Sequence, residues 1–75
     1  MKYRVEKLSH NMCSIKLVPE GASDTALLAK PEREESFVEH YQQALTKFVH
    51  KDAAFTAIVN REHYPGHVLV SYALS

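Results

Sequence analysis

Residues 31–51, PEREESFVEHYQQALTKFVHK, form the one long amphipathic segment of this chain and decide its fold class. Apolar side chains recur in it every three or four residues, which is the period of an α-helix with a single apolar stripe. Proline suits the first turn of a helix, and the glutamates after Pro31 complement the positive end of the helix dipole. We therefore expect a helix from Pro31 to about Lys51. The predicted stripe consists of Phe37, Val38, Tyr41, Ala44, Leu45, Phe48 and Val49.

The sequence before this helix predicts a β-hairpin. Residues 3–8 and 12–18 alternate between apolar and polar side chains, as half-buried strands do. Between them lies a turn in which Asn11 tolerates left-handed backbone angles. The alternation turns one set of side chains towards the core: Tyr3, Val5, Cys13, Ile15 and Leu17.

The sequence after the helix predicts a second hairpin. Residues 54–60 and 67–74 have strand patterns, and the Pro65-Gly66 pair between them is a strong turn signal. In the first of these strands Phe55, Ala57 and Val59 are expected to share one face.

Residues 25–30 are ambiguous between a fifth strand and a short helical turn, because a short apolar run has no clear period. A strand is slightly favoured, since a long structureless connection is uncommon in a compact domain. The predicted fold is therefore a single two-layer α+β domain over residues 1–75. Its antiparallel sheet of four or five strands, in the order ββ(β)αββ, packs on one amphipathic helix.

Composition limits the function classes that this chain can enter. Its 75 residues include nine basic and nine acidic side chains, and this neutrality disfavours non-specific nucleic-acid binding. The first residues lack the apolar core of a signal peptide, and no stretch has the roughly 20 apolar residues of a membrane span. The single cysteine, Cys13, indicates a reducing cytoplasm. No glycine-rich phosphate loop is present and no cofactor is expected.

The last two strands suggest how the protein acts. They are apolar on both faces, and Ile58 and Leu69 are expected to lie opposite the helix-covered side. Because one helix covers only one face, the sequence predicts a non-enzymatic protein-binding module that acts through a sheet edge or an apolar sheet face, with a homodimer as the simplest assembly. Chain length alone favours a regulatory or inhibitory accessory factor, such as those encoded by phages and mobile elements. The predicted binding residues are Ile58, Tyr64, Leu69 and Ser71.

Nucleic-acid binding by the first hairpin is an alternative. A sheet that combines cations with aromatic side chains is a known RNA-binding platform. Glu6 interrupts the cations, however, and a solvated strand face explains them more simply. The candidate residues are Lys2, Arg4, Lys7 and Lys16.

A zinc-stabilised domain is a second alternative, since imidazole and thiolate are the ligands that zinc prefers. The candidate ligands are His10, Cys13, His63 and His67. With four strands their two turns lie at opposite ends of the sheet, so the site requires a fifth strand. Otherwise Cys13 is a small core residue, as is common for free cysteines. A Cys–His catalytic pair from the same residues would lack a pocket and an orienting third group.

Overall fold

Both predicted hairpins and the long helix are present in the structure, a computed structural model that describes residues 1–74. The strands are β1 (Lys2–Lys7), β2 (Met12–Val18), β3 (Ala53–His63) and β4 (His67–Leu74). The helices are α1 (Ala22–Leu28) and α2 (Glu34–Phe48). The predicted α+β class is confirmed, with four strands in the sheet.

The two hairpins join into one antiparallel sheet in the order β1-β2-β4-β3. Strand β2 pairs with β4, so that Cys13 lies opposite Val70 and Lys16 lies opposite His67. The interior strands are therefore β2 and β4, and the edges are β1 and β3.

The hydrophobic core lies between α2 and one face of the sheet, which we call the inner face. The predicted alternation of the first hairpin is confirmed, because Cys13, Ile15 and Leu17 are all buried. From α2 the hydroxyl of the fully buried Tyr41 donates a hydrogen bond to the Pro65 carbonyl at 2.6 Å. Within residues 1–74 every buried side-chain nitrogen and oxygen has a hydrogen-bond partner. The core is thus complete on this side of the sheet.

Helix α2 is shorter than predicted at both ends. It begins three residues after Pro31, because the Arg33 N–H donates to the Lys30 carbonyl at 3.1 Å and closes a separate turn. It ends at Phe48, and the next two N–H groups, of Val49 and His50, both donate to the Leu45 carbonyl. The apolar stripe is also narrower than predicted, since Phe48 is 53% exposed.

The preference for a strand at residues 25–30 is wrong, because the chain forms α1 there. The N–H and the hydroxyl of Thr25 both donate to the Gly21 carbonyl, at 3.1 and 3.2 Å, which closes the first helical turn. Leu27 and Leu28 pack against the core. Helix α1 thus partly buries both leucines without joining the sheet.

Three bulges in β3, after Phe55, Ile58 and Asn60, overturn the predicted faces of that strand. Phe55 lies opposite Tyr72, but Ala57 lies opposite Ser71 and a further shift follows Ile58. Each bulge places an extra residue in β3 and so changes which side chains point inward. Ile58 consequently lies opposite the buried Val70 and packs against the core, instead of on the opposite face as predicted. Val59, predicted to share a face with Phe55, is 52% exposed.

Candidate protein-binding surface

The sheet has a second face, which we call the outer face, that neither helix covers. Helix α2 packs on the inner face, and the apolar side chains of α1 join the same core. On β2 the side chains of Ser14 and Lys16 alternate with the buried Cys13, Ile15 and Leu17, and so point outward. The register carries this alternation to the neighbouring strands. The outer-face side chains of these three strands include Lys2, Arg4, Glu6, Ser14, Lys16, His67, Leu69 and Ser71.

An apolar depression of about 230 Å³ lies on the outer face. Leu69 of β4 is half-buried in it, while Leu8, which directly follows β1, is 53% exposed at its side. Leu69 was predicted as a binding residue and Leu8 was not. The alternation that places Arg4 and Glu6 outward also reaches Leu8, so this signal was present in the sequence. The lining residues are Leu8, Ser14, Asn60, Glu62, His63, His67, Val68 and Leu69.

A pair of imidazoles forms one wall of this depression. The Ser14 hydroxyl and His67 Nε2 share a hydrogen bond of 2.8 Å. The His67 ring is also stacked on the His63 ring, with the centroids 6.3 Å apart and the planes inclined by 16°. These contacts hold His67 in a defined orientation at the middle of the outer face.

A second depression of about 220 Å³ lies beside the first, and its charged side chains are Arg4, Lys16 and Glu6; we call it the cationic depression. Arg4 of β1 lies directly opposite Lys16 of β2, and both side chains are exposed. Ser14 and His67 line both depressions, so the two adjoin each other. Within residues 1–74 neither Arg4 nor Lys16 forms a salt bridge.

The cations predicted for nucleic-acid binding are only partly brought together. Lys2, Arg4 and Lys16 share the outer face, where Glu6 accompanies them. Lys7 lies opposite Cys13, in the register of the inner face, and is exposed at the rim of the sheet.

The residues predicted for protein binding are divided between the two faces. Leu69 and Ser71 lie on the outer face, where the Ser71 hydroxyl is 2.6 Å from that of Thr56. Ile58 belongs to the core, as described above. Tyr64 also lies on the helix side, because its ring packs edge-on against Phe37 and its hydroxyl donates to the Pro31 carbonyl at 3.0 Å.

The four predicted zinc ligands are not assembled. Cys13 points into the core, whereas His67 points to the outer face. His10 lies in the β1–β2 turn, at the opposite end of β2 from Lys16 and its neighbour His67. Residues 1–74 contain no group of three or more histidine, cysteine and acidic side chains placed to hold a metal ion.

The surroundings of Cys13 disfavour the reactive thiolate form of its side chain in the folded chain. The residue is fully buried on the interior strand β2. Burial raises the pKa of its thiol to about 11, because desolvation penalises the thiolate. The reactive form is therefore scarce at neutral pH, and a nucleophilic role for Cys13 finds no support in its surroundings.

Comparisons with known proteins identify no relative, since no family model, curated protein or solved structure matches this chain. In residues 1–74 neither helix combines the length and apolar character needed to cross a membrane. Functional inference therefore depends on the outer face and on the two edges of the sheet.

Proposed function

We propose that this chain is a small protein-binding module that contacts its partner through the outer face of its sheet. One observation carries the proposal. Neither helix covers the outer face, and on this face Leu8 and Leu69 line an open depression. Apolar surface set among polar side chains is typical of interaction sites. A regulatory or inhibitory role and a cytoplasmic location stay predictions from chain length and the single free thiol.

Contact explains this face better than catalysis does. The Ser14–His67 hydrogen bond is the feature of the outer face that most resembles a catalytic pair. A catalytic serine needs a base oriented by a third group, together with donors that stabilise the developing oxyanion. His67 is instead stacked on His63, and no carboxylate in residues 1–74 hydrogen-bonds to its ring. The pair is better suited to positioning the wall between the two depressions.

The proposal is tested by placing a charge in the apolar depression. Leu69→Glu introduces a carboxylate there, and Ala73→Glu, on the same strand and outside the depression, is the matched control. Because Leu69 is half-buried, we expect its replacement to lower the free energy of unfolding by about 1 kcal/mol. Both variants should fold, and only Leu69→Glu should lose binding.

Binding is measured in two ways. Sedimentation velocity at micromolar concentration shows whether a second copy of the chain is the partner. Proteins that the immobilised wild-type chain retains from a lysate of the source cells, and Leu69→Glu does not, are then purified and titrated individually. If Leu69→Glu unfolds the chain, Leu8→Glu takes its place. Folded variants that bind every partner as the wild type does would show that the proposal is wrong.

Nucleic-acid binding is a second candidate, favoured by the common placement of Lys2, Arg4 and Lys16 on the outer face. Binding through these cations would release counterions, so affinity for single-stranded RNA should fall steeply as salt concentration rises. If the chain does not bind single-stranded RNA at low salt, or if its affinity hardly changes with salt concentration, nucleic-acid binding through these cations is rejected.

A further inference from the structure

We infer that the partner segment bound by the outer face is acidic, with a carboxylate at the cationic depression and an adjacent apolar side chain in the apolar depression. This inference rests on the proposed protein-binding function and names the chemistry of the partner.

The charge argument begins with Arg4 and Lys16. Side chains directly opposite each other on antiparallel strands are neighbours, and like charges in such a pair repel. Arg4 and Lys16 are such a pair, and no salt bridge within residues 1–74 compensates either one. A carboxylate bound between them removes the repulsion, and a guanidinium can bind it through two parallel hydrogen bonds.

The apolar depression adds a second requirement on the partner. It adjoins the cationic depression, because Ser14 and His67 line both. In an extended chain, side chains two residues apart point to the same side at a spacing of roughly 7 Å. An extended segment can therefore place a carboxylate in one depression and an apolar side chain in the other.

Acidic side chains of the outer face determine where the partner's carboxylate lies. Glu62 lines the apolar depression from β3, which β4 separates from the cation-bearing strands β2 and β1. A partner carboxylate there would be repelled, so the acidic end of the segment faces Arg4 and Lys16. Glu6 also lines the cationic depression and limits it to a small number of bound carboxylates.

The same features favour a protein segment over RNA. RNA-binding sheets stack bases on aromatic side chains. The tyrosines of this sheet are on the inner face: Tyr3 hydrogen-bonds to His40 of α2 at 2.7 Å, and Tyr72 is buried. The chain also has no net charge to attract a polyanion over a distance.

The probe for this inference is a capped hexapeptide that alternates glutamate and leucine. Titration is followed by amide chemical shifts of the protein, and we expect shifts at Arg4, Lys16 and Leu69 with none on α2. Three controls accompany it: the peptide with glutamine for glutamate, the peptide with lysine for glutamate, and single-stranded polyuridylate. Each should bind at least about tenfold more weakly than the acidic peptide, because none combines carboxylate with apolar side chains.

Lys16→Glu separates binding from folding. It pairs a carboxylate with Arg4, so the fold should be at least as stable as the wild type while affinity for the acidic peptide falls about tenfold. Lys51→Glu makes the same charge change in the exposed turn after α2 and should leave affinity within about twofold of the wild type, because it lies outside both depressions.

Three results would overturn the inference: no binding of the acidic peptide at millimolar concentration, stronger binding of the lysine peptide or the RNA, or unchanged affinity in Lys16→Glu. The partner titrations described above distinguish this failure from that of the proposed function. Loss of partner binding in Leu69→Glu with full binding in Lys16→Glu would show that the outer face binds a protein that is not acidic. Full binding in both variants would remove both proposals.

Discussion

The two edge strands of the sheet protect their unpaired backbone in different ways. Strand β1 has six residues, most of them charged: Lys2, Arg4, Glu6 and Lys7. Strand β3 has eleven residues, and residues 53–60 carry no charge, proline or glycine. A long neutral edge strand is a template for pairing with another chain, whereas charged side chains discourage such pairing. Charge therefore explains why β1 does not pair with another chain, but it does not explain how β3 avoids such pairing.

Gln42 of α2 protects unpaired backbone groups in the part of β3 where charged side chains are missing. Its Nε2 donates to the Ala53 carbonyl and its Oε1 accepts from the Phe55 N–H, both at 2.7 Å. The side-chain amide thus takes the place of a peptide group from a neighbouring strand. Further along, Asn60 Oδ1 accepts from the Glu62 N–H at 2.7 Å, and the three bulges interrupt the regular edge. One edge is protected by charge and the other by hydrogen bonding and shape.

The strongest test of this difference replaces adjacent glutamines of α2. Gln42→Ala leaves two partly buried backbone groups of β3 unpaired, and we expect the free energy of unfolding to fall by about 2–3 kcal/mol. Gln43 instead accepts from the Tyr3 hydroxyl at 3.1 Å, beside β1 and exposed to solvent. Gln43→Ala should therefore cost less than about 1 kcal/mol. Urea unfolding measures both values.

Self-association provides a second measurement on the same pair. Gln42→Ala should sediment as larger species with rising concentration, because the neutral edge of β3 is then free to pair. Gln43→Ala should behave as the wild type does. Equal stability losses and equal sedimentation in the two variants would show that Gln42 does not protect the edge.

Cys13 on the interior strand β2 gives a change in stability with pH that depends on neither edge strand, and it serves as a reference for the comparison of the edges. The pKa of the Cys13 thiol is about 11 in the folded chain and 9.0 without burial. Below pH 9 the thiol is protonated in both states. Between pH 9 and 11 the unfolded chain releases its proton while the folded chain retains it, so stability falls by up to about 2–3 kcal/mol. Cys13→Ala should lack this part of the decline, as measured by urea unfolding at a series of pH values.

The same pH series sharpens the comparison of the edges. Gln42→Ala should shift the whole stability curve downward without changing its slope between pH 9 and 11. A changed slope would mean that opening the β3 edge also admits water to Cys13, and that the edge and the interior are not independent.

The smallest expected effect concerns Asn60. Asn60→Ala removes the acceptor for the Glu62 N–H, and because this site is exposed we expect a loss of about 1 kcal/mol or less in thermal or urea unfolding. Asn60→Asp retains an acceptor oxygen and should restore most of the stability. Failure of the aspartate variant to do so would show that the bond contributes little.

Local patterns predicted the parts of this fold that depend on local periodicity. Alternation located both hairpins, and the apolar stripe located α2, because each pattern reflects burial against a single neighbouring layer. The strand preferred over a helical turn at residues 25–30 was wrong, because six residues are too few to distinguish the two periods. The pairing of β2 with β4 was not predicted, since it depends on contacts between distant parts of the chain.

The candidate surface was predicted only in part, and the reason lies in β3. Its alternation indicated an inward Val59 and an outward Ile58, but the bulges after Phe55 and Ile58 exchange those environments. A bulge depends on how one strand twists against its partner, and no residue type in this strand predicts it. The outer face is therefore less apolar than predicted, and the exposed Leu8 joins the half-buried Leu69 in its apolar depression.

The central position of β4 has a consequence for biosynthesis. Among residues 1–74 it is the last of the six elements in chain order and the only strand that pairs with both β2 and β3. While the ribosome is still translating residues 67–74, the first hairpin and β3 have no common neighbour in the sheet. Assembly of the sheet must therefore await the emergence of this segment from the exit tunnel, and until then residues 53–60, which carry no charge, lack their partner strand.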